Sequence, residues 1–469
     1  MNEIKINKFI VSSFWYIIAV GIGYLITFVG NIIFTQLMPQ GHYGLYTNYY
    51  SIVALLGPFV GANLFVGLQN GFFDFKDSRD EFRASILLLS FFSFFCFSLL
   101  AIIIFSCINR FRVNIFPIFI LILALVHAYA FFVINFYNVY ENLNNSFKAK
   151  SILLFLQNFA PFALSLIFIL CFRKNSYYAR IIGSVISLLI ISVILFCIVL
   201  KKKGGLINIK YFKYALKISI PSILGSISSL LMQNSDNIMI TAMIGAMETA
   251  VYGFMYQVGN ILLVILSAIG GSVSAWIYTA LDSDRCVAAR EGQKWYFTFF
   301  VAAILLIFLL LPDFIKLVVP AAYWDYRYML PFIMTCSLYI INCLHGDIIT
   351  FYKKTGKISL CVFLSAACNV ILNYYFIKKF GAIAAAYTSL ISCFVQTVLY
   401  RIVLKTITKN IFSDFYSIVF FVIVAVLSIL FMLIYEYGAI RYILFSAVLV
   451  FLCIFAFMNQ KEIKQLVKA

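Results

Sequence analysis

Residues 9–38 read FIVSSFWYIIAVGIGYLITFVGNIIFTQLM, and none of these side chains carries a charge. The apolar core of a secretory signal peptide spans only about 7–15 residues. A helix that crosses a bilayer needs about 20 mostly apolar residues. We therefore expect a first transmembrane helix that is retained in the protein.

Similar apolar runs recur along all 469 residues. Hydrophobic residues make up 64% of the chain and charged residues 11%, against roughly 45–50% and 25% in soluble domains. Because a soluble fold cannot hide so much apolar surface, the composition indicates an all-α integral membrane protein. About fourteen transmembrane helices are predicted, at residues 9–37, 44–68, 84–107, 114–138, 151–172, 178–200, 214–243, 250–280, 294–312, 328–351, 358–377, 381–403, 413–435 and 439–458.

The net charge of +18 comes mainly from residues between these runs. If the N-terminus is cytoplasmic, 25 of the 35 Lys and Arg residues lie on the cytoplasmic side, and Arg180 is among the ten on the other side. Such an excess is what the positive-inside rule requires. The distribution predicts cytoplasmic N- and C-termini and argues against a nucleic-acid partner.

Two segments of the chain resemble each other. NIIFTQLM, which starts at Asn31, matches NIMITAMI, which starts at Asn237, and a Tyr-Gly pair follows each segment, at Tyr43 and Tyr252. Six predicted helices precede the basic break at 201–217, so a six-helix repeat would give two parallel halves. Chance similarity among apolar segments is the alternative.

The repeat predicts how the chain is organised. We expect an N-terminal six-helix lobe at 1–200, a basic cytoplasmic linker at 201–217 that runs into the seventh helix, and a C-terminal six-helix lobe at 214–410. Two extra helices and a basic cytoplasmic tail follow at 411–469. The two lobes are expected to surround a central cavity.

Polar residues inside the predicted spans indicate where that cavity lies, since polar groups in hydrocarbon usually face a bundle interior or water. The seventh helix carries a stripe at steps of mostly three and four, namely Ser222, Ser226, Ser229, Gln233, Asp236, Asn237 and Thr241. The candidate cavity residues are Asn31, Thr35, Gln233, Asp236, Asn237, Asn260, Asn369 and Asn373. Hydrogen bonding between helices is the alternative for each of them.

Three titratable residues in the spans are candidates for proton or ion coupling, Asp236, His345 and Asp347. Asp347 lies close in sequence to Lys353 and Lys354, so pairing with a lysine near the cytoplasmic surface is the alternative for this carboxylate. Packing is the alternative for His345.

Motifs of soluble catalysis are missing from the sequence. It contains no G-x-S-x-G, no P-loop and no GxGxxG after a strand. The 11 cysteines form no CxxC pair, and with 3 histidines no zinc spacing arises. We expect no catalytic residues, no cofactor, no metal and no disulfide.

Three segments resemble the multidrug/oligosaccharidyl-lipid/polysaccharide (MOP) exporter superfamily. They are TQLMPQGHYGLY from Thr35, NSDNIMITAMIGAMETAVYG from Asn234, and KKFGAIAAA from Lys378. The resemblance implies two parallel six-helix lobes around a central cavity. Its sugar-export branch often adds two helices, which suits the predicted count.

Within this superfamily the chain looks most like the flippases for O-antigen, capsule or exopolysaccharide repeat units. That resemblance implies export of undecaprenyl-pyrophosphate-linked oligosaccharides across the bacterial inner membrane, beside a polysaccharide polymerase and a chain-length regulator as partners. A multidrug antiporter of the same fold is the alternative. A polymerase or ligase is less favoured because no outside loop is large enough to hold a catalytic site.

A pyrophosphate head would need cationic partners, for which Arg and Lys are suited. The candidates lie at the predicted inner ends of helices, namely Lys213, Lys217, Lys353, Lys354 and Arg401. Basic residues at inner ends also follow from topology alone, and that alternative applies to all five.

Overall fold

The computed structural model describes residues 21–110, 117–144, 146–201, 207–282, 286–407 and 412–458, and these ranges contain helices and no strand. The helices are α1 (Gly21–Leu37), α2 (Gln40–Val60), α3 (Leu64–Asp74), α4 (Arg79–Arg110), α5 (Ile118–Leu143), α6 (Phe147–Cys171), α7 (Ser176–Lys201), α8 (Ile209–Met243), α9 (Ala246–Gly259), α10 (Ile261–Asp282), α11 (Cys286–Val318), α12 (Met329–Phe351), α13 (Thr355–Phe380), α14 (Ile383–Ile407), α15 (Asp414–Ile434) and α16 (Gly438–Met458).

Each predicted span falls on one of these helices or on a helix pair, which confirms the all-α membrane fold. Ten of the described helices are long and apolar enough to cross a membrane, and the bent pair α2–α3 would make an eleventh. The described part of α1 and the segment Gly438–Val450 of α16 are shorter apolar helices. The count of fourteen spans stays a prediction.

Two predicted spans are broken in the structure. The span predicted at 44–68 becomes α2 and α3, which meet at a 43° bend. The span predicted at 250–280 becomes α9 and α10, with Asn260 between them. Apolar composition continues through both breaks, so hydropathy alone gave no sign of them.

The bend between α2 and α3 has a local cause. Ala62 and Asn63 adopt positive φ angles of 45° and 52°, a conformation that costs a residue with a Cβ roughly 1–2 kcal/mol. The Asn63 amide donates to Ser222 Oγ at 2.7 Å and to Ser226 Oγ at 2.9 Å, both on α8. Further along, the backbone N–H of Gly67 donates to Ser219 Oγ at 3.1 Å. These bonds from α8 satisfy polar groups at the break, as a bilayer requires.

The chain divides into two compact units. Unit 1 comprises Met1–Gly253 with Val362–Lys378, and unit 2 comprises Phe254–Cys361 with Lys379–Ala469. Of the predicted linker at 201–217, residues 202–206 lie outside the described ranges, as do the first 20 residues and the basic tail from 459. The predicted six-helix lobes and the cavity between them stay predictions.

Unit 1 is held by large apolar clusters and by close helix crossings. One buried cluster joins α3, α4, α5 and α7 to the start of α8 around Phe136 and Ala215. Another joins α2, α4, α5 and α7 around Tyr49 and Ala124. These clusters contain few polar atoms, so the polar residues described below stand out against an apolar background.

The repeated Tyr-Gly pairs lie where α2 crosses α9. A Cβ on Gly44 would fall 1.7 Å from the carbonyl oxygen of Ala246, and one on Gly253 would fall 2.6 Å from Cγ2 of Thr47. Small residues let membrane helices approach closely. Both glycines of the repeat therefore serve one contact between α2 and α9.

In unit 2, polar side chains bond α11 to the start of α15 and to α16. The side-chain amide of Gln293 donates to the carbonyl oxygen of Ser413 at 3.1 Å and its oxygen accepts from the Ser413 N–H at 2.9 Å. Arg441 on α16 is buried and donates to Asp313 Oδ1 at 2.7 Å and to the Leu309 carbonyl at 3.1 Å. Both C-terminal helices are thus bonded through polar groups to α11 or its neighbours.

Candidate functional site

A polar cluster surrounds Asp236 in unit 1. The carboxylate is 2% exposed; its Oδ1 accepts from the Asn373 amide at 2.6 Å, and its Oδ2 accepts from the Tyr252 hydroxyl. The Asn373 amide also donates to Asn369 Oδ1 at 3.1 Å, and the Ser235 hydroxyl donates to that same oxygen at 3.0 Å. We call these five residues the Asp236 cluster.

Helical spacing explains how the cluster assembles. Asn369 and Asn373 are four residues apart on α13, so their side chains share one face. Ser235 and Asp236 come from α8, and Tyr252 comes from α9. Sequence analysis proposed Asp236, Asn369 and Asn373 separately as cavity residues, and the structure brings all three together. It missed Ser235 and Tyr252, although Tyr252 belongs to the repeated Tyr-Gly pair.

The same region of α8 also bonds to α2 and α9. The Asn237 amide donates to Ser51 Oγ on α2 at 3.0 Å, while its Oδ1 is buried with no hydrogen-bond partner. The Thr241 hydroxyl lies 2.7 Å from that of Thr249. Asn237 therefore bonds α8 to α2, and its side-chain oxygen is a buried acceptor without a hydrogen-bond partner.

The polar stripe of the seventh helix thus has two parts. Its N-terminal part, Ser222 and Ser226, accepts hydrogen bonds from Asn63 at the bend between α2 and α3. Asp236, further along the helix, belongs to the Asp236 cluster. Gln233 lies between them and is exposed. Whether Gln233, Asp236 and Asn237 border a water-filled cavity stays a prediction.

Asn31 and Thr35 lie in the C-terminal half of α1. The guanidinium of Arg180 on α7 donates to Asn31 Oδ1 at 2.6 Å, and the Thr35 hydroxyl donates to the Ile32 carbonyl at 2.7 Å. Arg180 is 4% exposed, and its Cζ lies 3.8 Å from the ring centre of Tyr46 and 4.1 Å from that of Phe34.

Sequence analysis counted Arg180 only as a charge on the outer side, and the structure shows it to be a buried cation. One signal was available, because Arg180 falls within the predicted span 178–200. A cation inside a span is costly unless it has partners. The repeat that contains Asn31 and Tyr43 could not reveal a partner on α7.

The other coupling candidates lie in unit 2. Asp347 accepts from the Ser274 hydroxyl of α10 at 2.8 Å. Among the described residues Asp347 forms no ion pair with Lys353 or Lys354, and its role in coupling stays a prediction. His345 is buried, and its Nδ1 has no hydrogen-bond partner.

Asn260 occupies the break between α9 and α10, with its backbone N–H bonded to the Tyr256 carbonyl at 3.0 Å. Its side-chain oxygen lies 4.0 Å from the Cys336 thiol. A helix break exposes backbone groups that need partners in a membrane. Asn260 is therefore a polar residue at a break, which the sequence had placed in mid-helix.

The five cationic candidates differ in their surroundings. Lys213, Lys217, Lys353 and Lys354 are exposed. Arg401 forms an ion pair with Asp414, the first residue of α15. A phosphate at Arg401 would have to compete with this carboxylate, whereas the four lysines are open to solvent.

Comparison with known proteins identifies the fold. Residues 10–275 match the family model of polysaccharide biosynthesis proteins. No curated protein sequence matches the chain. Among solved structures, the lipid II flippase MurJ in an inward closed conformation covers 96% of this chain and 99% of its own, with a TM-score of 0.67 and 17% identity.

Two further structures share this fold. A multidrug resistance MATE family transporter of the MOP superfamily, in an inward-facing conformation, covers 83% of this chain and 96% of its own, with a TM-score of 0.59 and 13% identity. A MOP superfamily transporter from Pyrococcus furiosus covers 85% and 96%, with a TM-score of 0.56 and 14% identity. The chain therefore belongs to the polysaccharide biosynthesis protein family, within the MOP exporter superfamily.

Proposed function

We propose that this protein is a flippase that moves undecaprenyl-pyrophosphate-linked oligosaccharide repeat units from the cytoplasmic to the outer face of the bacterial inner membrane. The product would supply O-antigen, capsule or exopolysaccharide synthesis. The observation that carries the proposal is the family match over residues 10–275. A fold shared with a lipid II flippase over 96% of the chain supports it.

Movement by alternating access needs helices that can change their contacts. Unit 1 offers such an element in α3, which follows a strained bend and is bonded to α8 by Asn63 and Gly67. At its other end, the Tyr214 hydroxyl of α8 donates to Asp74. We place the opening and closing of the cytoplasmic side at this contact between α3 and α8.

Energy coupling is proposed at Asp236. An ionised carboxylate only accepts hydrogen bonds, whereas a protonated one must also donate. The Tyr252 hydroxyl and the Asn373 amide both donate to it, so protonation would force one of these partners to change. Since the partners lie on α9 and α13, a proton on Asp236 would alter contacts among three helices. Asp347 and His345 are the second-choice coupling sites.

The pyrophosphate is proposed to meet Lys213 and Lys217 where α8 begins, or Lys353 and Lys354 after α12. Arg401 would join only after leaving Asp414. Polysaccharide polymerase and a chain-length regulator are the proposed partners of the flippase, with both termini of the chain in the cytoplasm. No catalytic step is assigned to the protein.

The proposal is tested by reconstitution. Liposomes would contain purified protein and an undecaprenyl-pyrophosphate-linked oligosaccharide with a fluorescent group on the sugar. A membrane-impermeant quencher should reach all of the fluorophore in liposomes with protein and about half of it in liposomes without. Quenching limited to half in both preparations would refute the proposal.

A multidrug antiporter is the second candidate, supported by the likeness to MATE transporters. The same liposomes, loaded with an acidic buffer, would be tested for uptake of ethidium. Uptake of ethidium without movement of the lipid-linked sugar would favour this second function.

A further inference from the structure

An aromatic cluster lies in unit 1, apart from the Asp236 cluster. It consists of Tyr46, Tyr49 and Tyr50 on α2 with His127 and Phe131 on α5, and we call it the aromatic platform. Tyr46 and Tyr50 stack at 6.5 Å between ring centres, and the rings of His127 and Phe131 stack at 5.3 Å and 10°. Tyr50 meets His127 and Phe131 edge to face, at 6.4 and 6.2 Å.

Helical spacing builds the platform. Tyr46 and Tyr50 are four residues apart, as are His127 and Phe131, so each helix presents a pair of rings on one face. The two pairs meet where α2 packs on α5 within one apolar cluster. The arrangement is therefore fixed by the backbone of two packed helices.

Tyr50 is the most accessible member of the platform. Its ring lies edge-on against two rings of α5, and 44% of the residue is accessible. By contrast, Tyr49 and His127 are each 1% accessible. Tyr50 is therefore the part of the platform that a ligand can reach first.

His127 carries an unsatisfied polar atom at the same place. Its Nδ1 lies 3.1 Å from the Tyr49 hydroxyl, and its Nε2 is buried without a hydrogen-bond partner. A buried polar atom that lacks a partner costs roughly 1–3 kcal/mol. Such atoms call for an explanation, and a bound hydroxyl group is one.

A positive charge lies behind the platform. The guanidinium of Arg180 stands 3.8 Å from the centre of the Tyr46 ring, on the far side of a cluster that carries no acidic residue of its own. Ligand pockets are usually lined by aromatic side chains with a few placed polar groups. Here the aromatic rings are accompanied by three tyrosine hydroxyls, one unpaired imidazole nitrogen and a nearby cation.

We propose that the aromatic platform binds a saccharide ring of the lipid-linked oligosaccharide. This inference rests on the proposed function and names the part of the cargo that unit 1 would hold. The C–H face of a sugar would pack on the accessible side of Tyr50, and one of its hydroxyls would bond to the Tyr50 hydroxyl. His127 Nε2 is covered in this structure, so a shift of the neighbouring rings on binding would bring it within reach of a second hydroxyl. The charge of Arg180 suits a head group that also carries phosphate.

The experiment compares two lipids that differ only in sugar. Purified protein in detergent would be titrated with undecaprenyl pyrophosphate alone and with undecaprenyl pyrophosphate carrying a disaccharide, using thermophoresis to obtain Kd. Variants are Tyr50→Ala, Tyr50→Phe and His127→Phe. Tyr387→Ala is the matched control, because Tyr387 on α14 is 43% exposed and lies outside the platform.

We expect Tyr50→Ala to weaken binding of the disaccharide lipid about tenfold and to leave binding of the bare lipid unchanged. Tyr50→Phe, which keeps the ring, should lose less affinity for the disaccharide lipid than Tyr50→Ala does. His127→Phe should weaken binding of the disaccharide lipid and leave binding of the bare lipid unchanged. If Tyr50→Ala weakens binding of both lipids equally, or of neither, the aromatic platform is not a sugar-binding site. If the liposomes show no translocation while Tyr50→Ala still weakens binding of the disaccharide lipid alone, the flippase proposal fails and the sugar site stands.

Discussion

Asp236 is a titratable residue whose hydrogen bonds connect three helices. Its two carboxylate oxygens take hydrogen bonds from α9 and α13 while it belongs to α8. Replacement by Asn keeps the size of the side chain but removes the charge and the site for a proton. The effect of such a change should therefore appear in transport more than in folding.

We predict that Asp236→Asn lowers the rate of lipid-linked sugar translocation at least tenfold and removes its dependence on a pH gradient. The rate would be measured in liposomes with and without the gradient. Glu248→Gln is the control, because Glu248 is exposed on α9. A variant that still responds to the gradient would exclude Asp236 as the coupling residue.

Arg180 is a residue with a structural role that can be measured directly. Its removal would leave the space under Tyr46 and Phe34 unfilled and take the charged donor from Asn31. A hydrogen bond that involves a charged group typically contributes about 1.5–3 kcal/mol. We predict that Arg180→Met lowers the thermal unfolding temperature in detergent by several degrees.

The exposed Arg173, treated in the same way, gives the control for Arg180. Arg173→Met should unfold at the wild-type temperature. Equal unfolding temperatures for both variants would mean that the contacts of Arg180 contribute nothing to stability.

The sequence identified polar residues inside the predicted spans, because such groups cost free energy wherever they lie in a membrane. Asp236, Asn369 and Asn373 were chosen for that reason, and they meet in one cluster. The partners of these groups could not be inferred in the same way. Tyr252 and Ser235 are ordinary residues of membrane helices, and only the packing of α9 and α13 against α8 gives them a role.

Among the helices, the crossing of α2 and α9 depends on glycine. At Gly44 any side chain would meet the backbone of Ala246, and backbone cannot turn aside as a flexible side chain can. By contrast, nothing lies within 4 Å of a Cβ built on Gly57, which belongs to the same helix.

We predict that Gly44→Ala reduces translocation at least tenfold and lowers the unfolding temperature, because α2 and α9 must separate. Gly57→Ala should keep full activity, and its better helix propensity stabilises by up to about 1 kcal/mol. The two variants would be compared in the liposome assay and by thermal unfolding. Equal behaviour of the two would show that the close crossing is dispensable.

Two substitutions of Asn63 would separate the contributions of hydrogen bonding and backbone strain at the bend between α2 and α3. Asn63→Ala would lose both bonds to the α8 serines and keep the unfavourable φ, whereas Asn63→Gly would lose the bonds but relieve the backbone. We expect Asn63→Ala to be the less stable by about 1 kcal/mol, measured by thermal unfolding. The reverse order would mean that the backbone strain is absent.

At the level of elements, the sequence predicted where helices lie better than where they break. The apolar run at 44–68 continues through Ala62 and Asn63, so hydropathy describes one straight span. The bend arises because the Asn63 amide donates hydrogen bonds to serines about 160 residues away in the chain. Such a preference for a distant partner leaves no mark on the local pattern of apolar residues.

The whole molecule is predicted to have both termini in the cytoplasm. Reporter fusions after Gly205 and Lys357 should show a cytoplasmic location, and a fusion after Ala246 should show an outer one, since the excess of Lys and Arg lies inside. One reporter would be a phosphatase that is active only outside the cytoplasm, and the other a fluorescent protein that becomes fluorescent only in the cytoplasm. An outer signal at Gly205 or Lys357 would refute this topology.

For the molecule as a whole, the sequence was sufficient to predict the superfamily and insufficient to predict the cargo. Composition and loop charge follow from the bilayer, so they define a polytopic fold from one sequence. In our proposal the cargo is recognised by a few side chains such as Tyr50 and His127, which come together only when α2 packs on α5. Their spacing in the sequence carries no distinguishing signal.

The bond between Arg441 and Asp313 has a consequence for biosynthesis. The two residues are 128 positions apart, and a ribosome adds about 5–20 residues per second. Asp313 therefore enters the membrane roughly 6–26 s before its arginine is made. During that interval α11 carries a carboxylate without its final partner, so a chaperone of membrane insertion or a lipid headgroup has a defined time in which to shield it. A chain truncated before α16 would keep that exposed carboxylate permanently, and quality-control proteases would have a reason to degrade it.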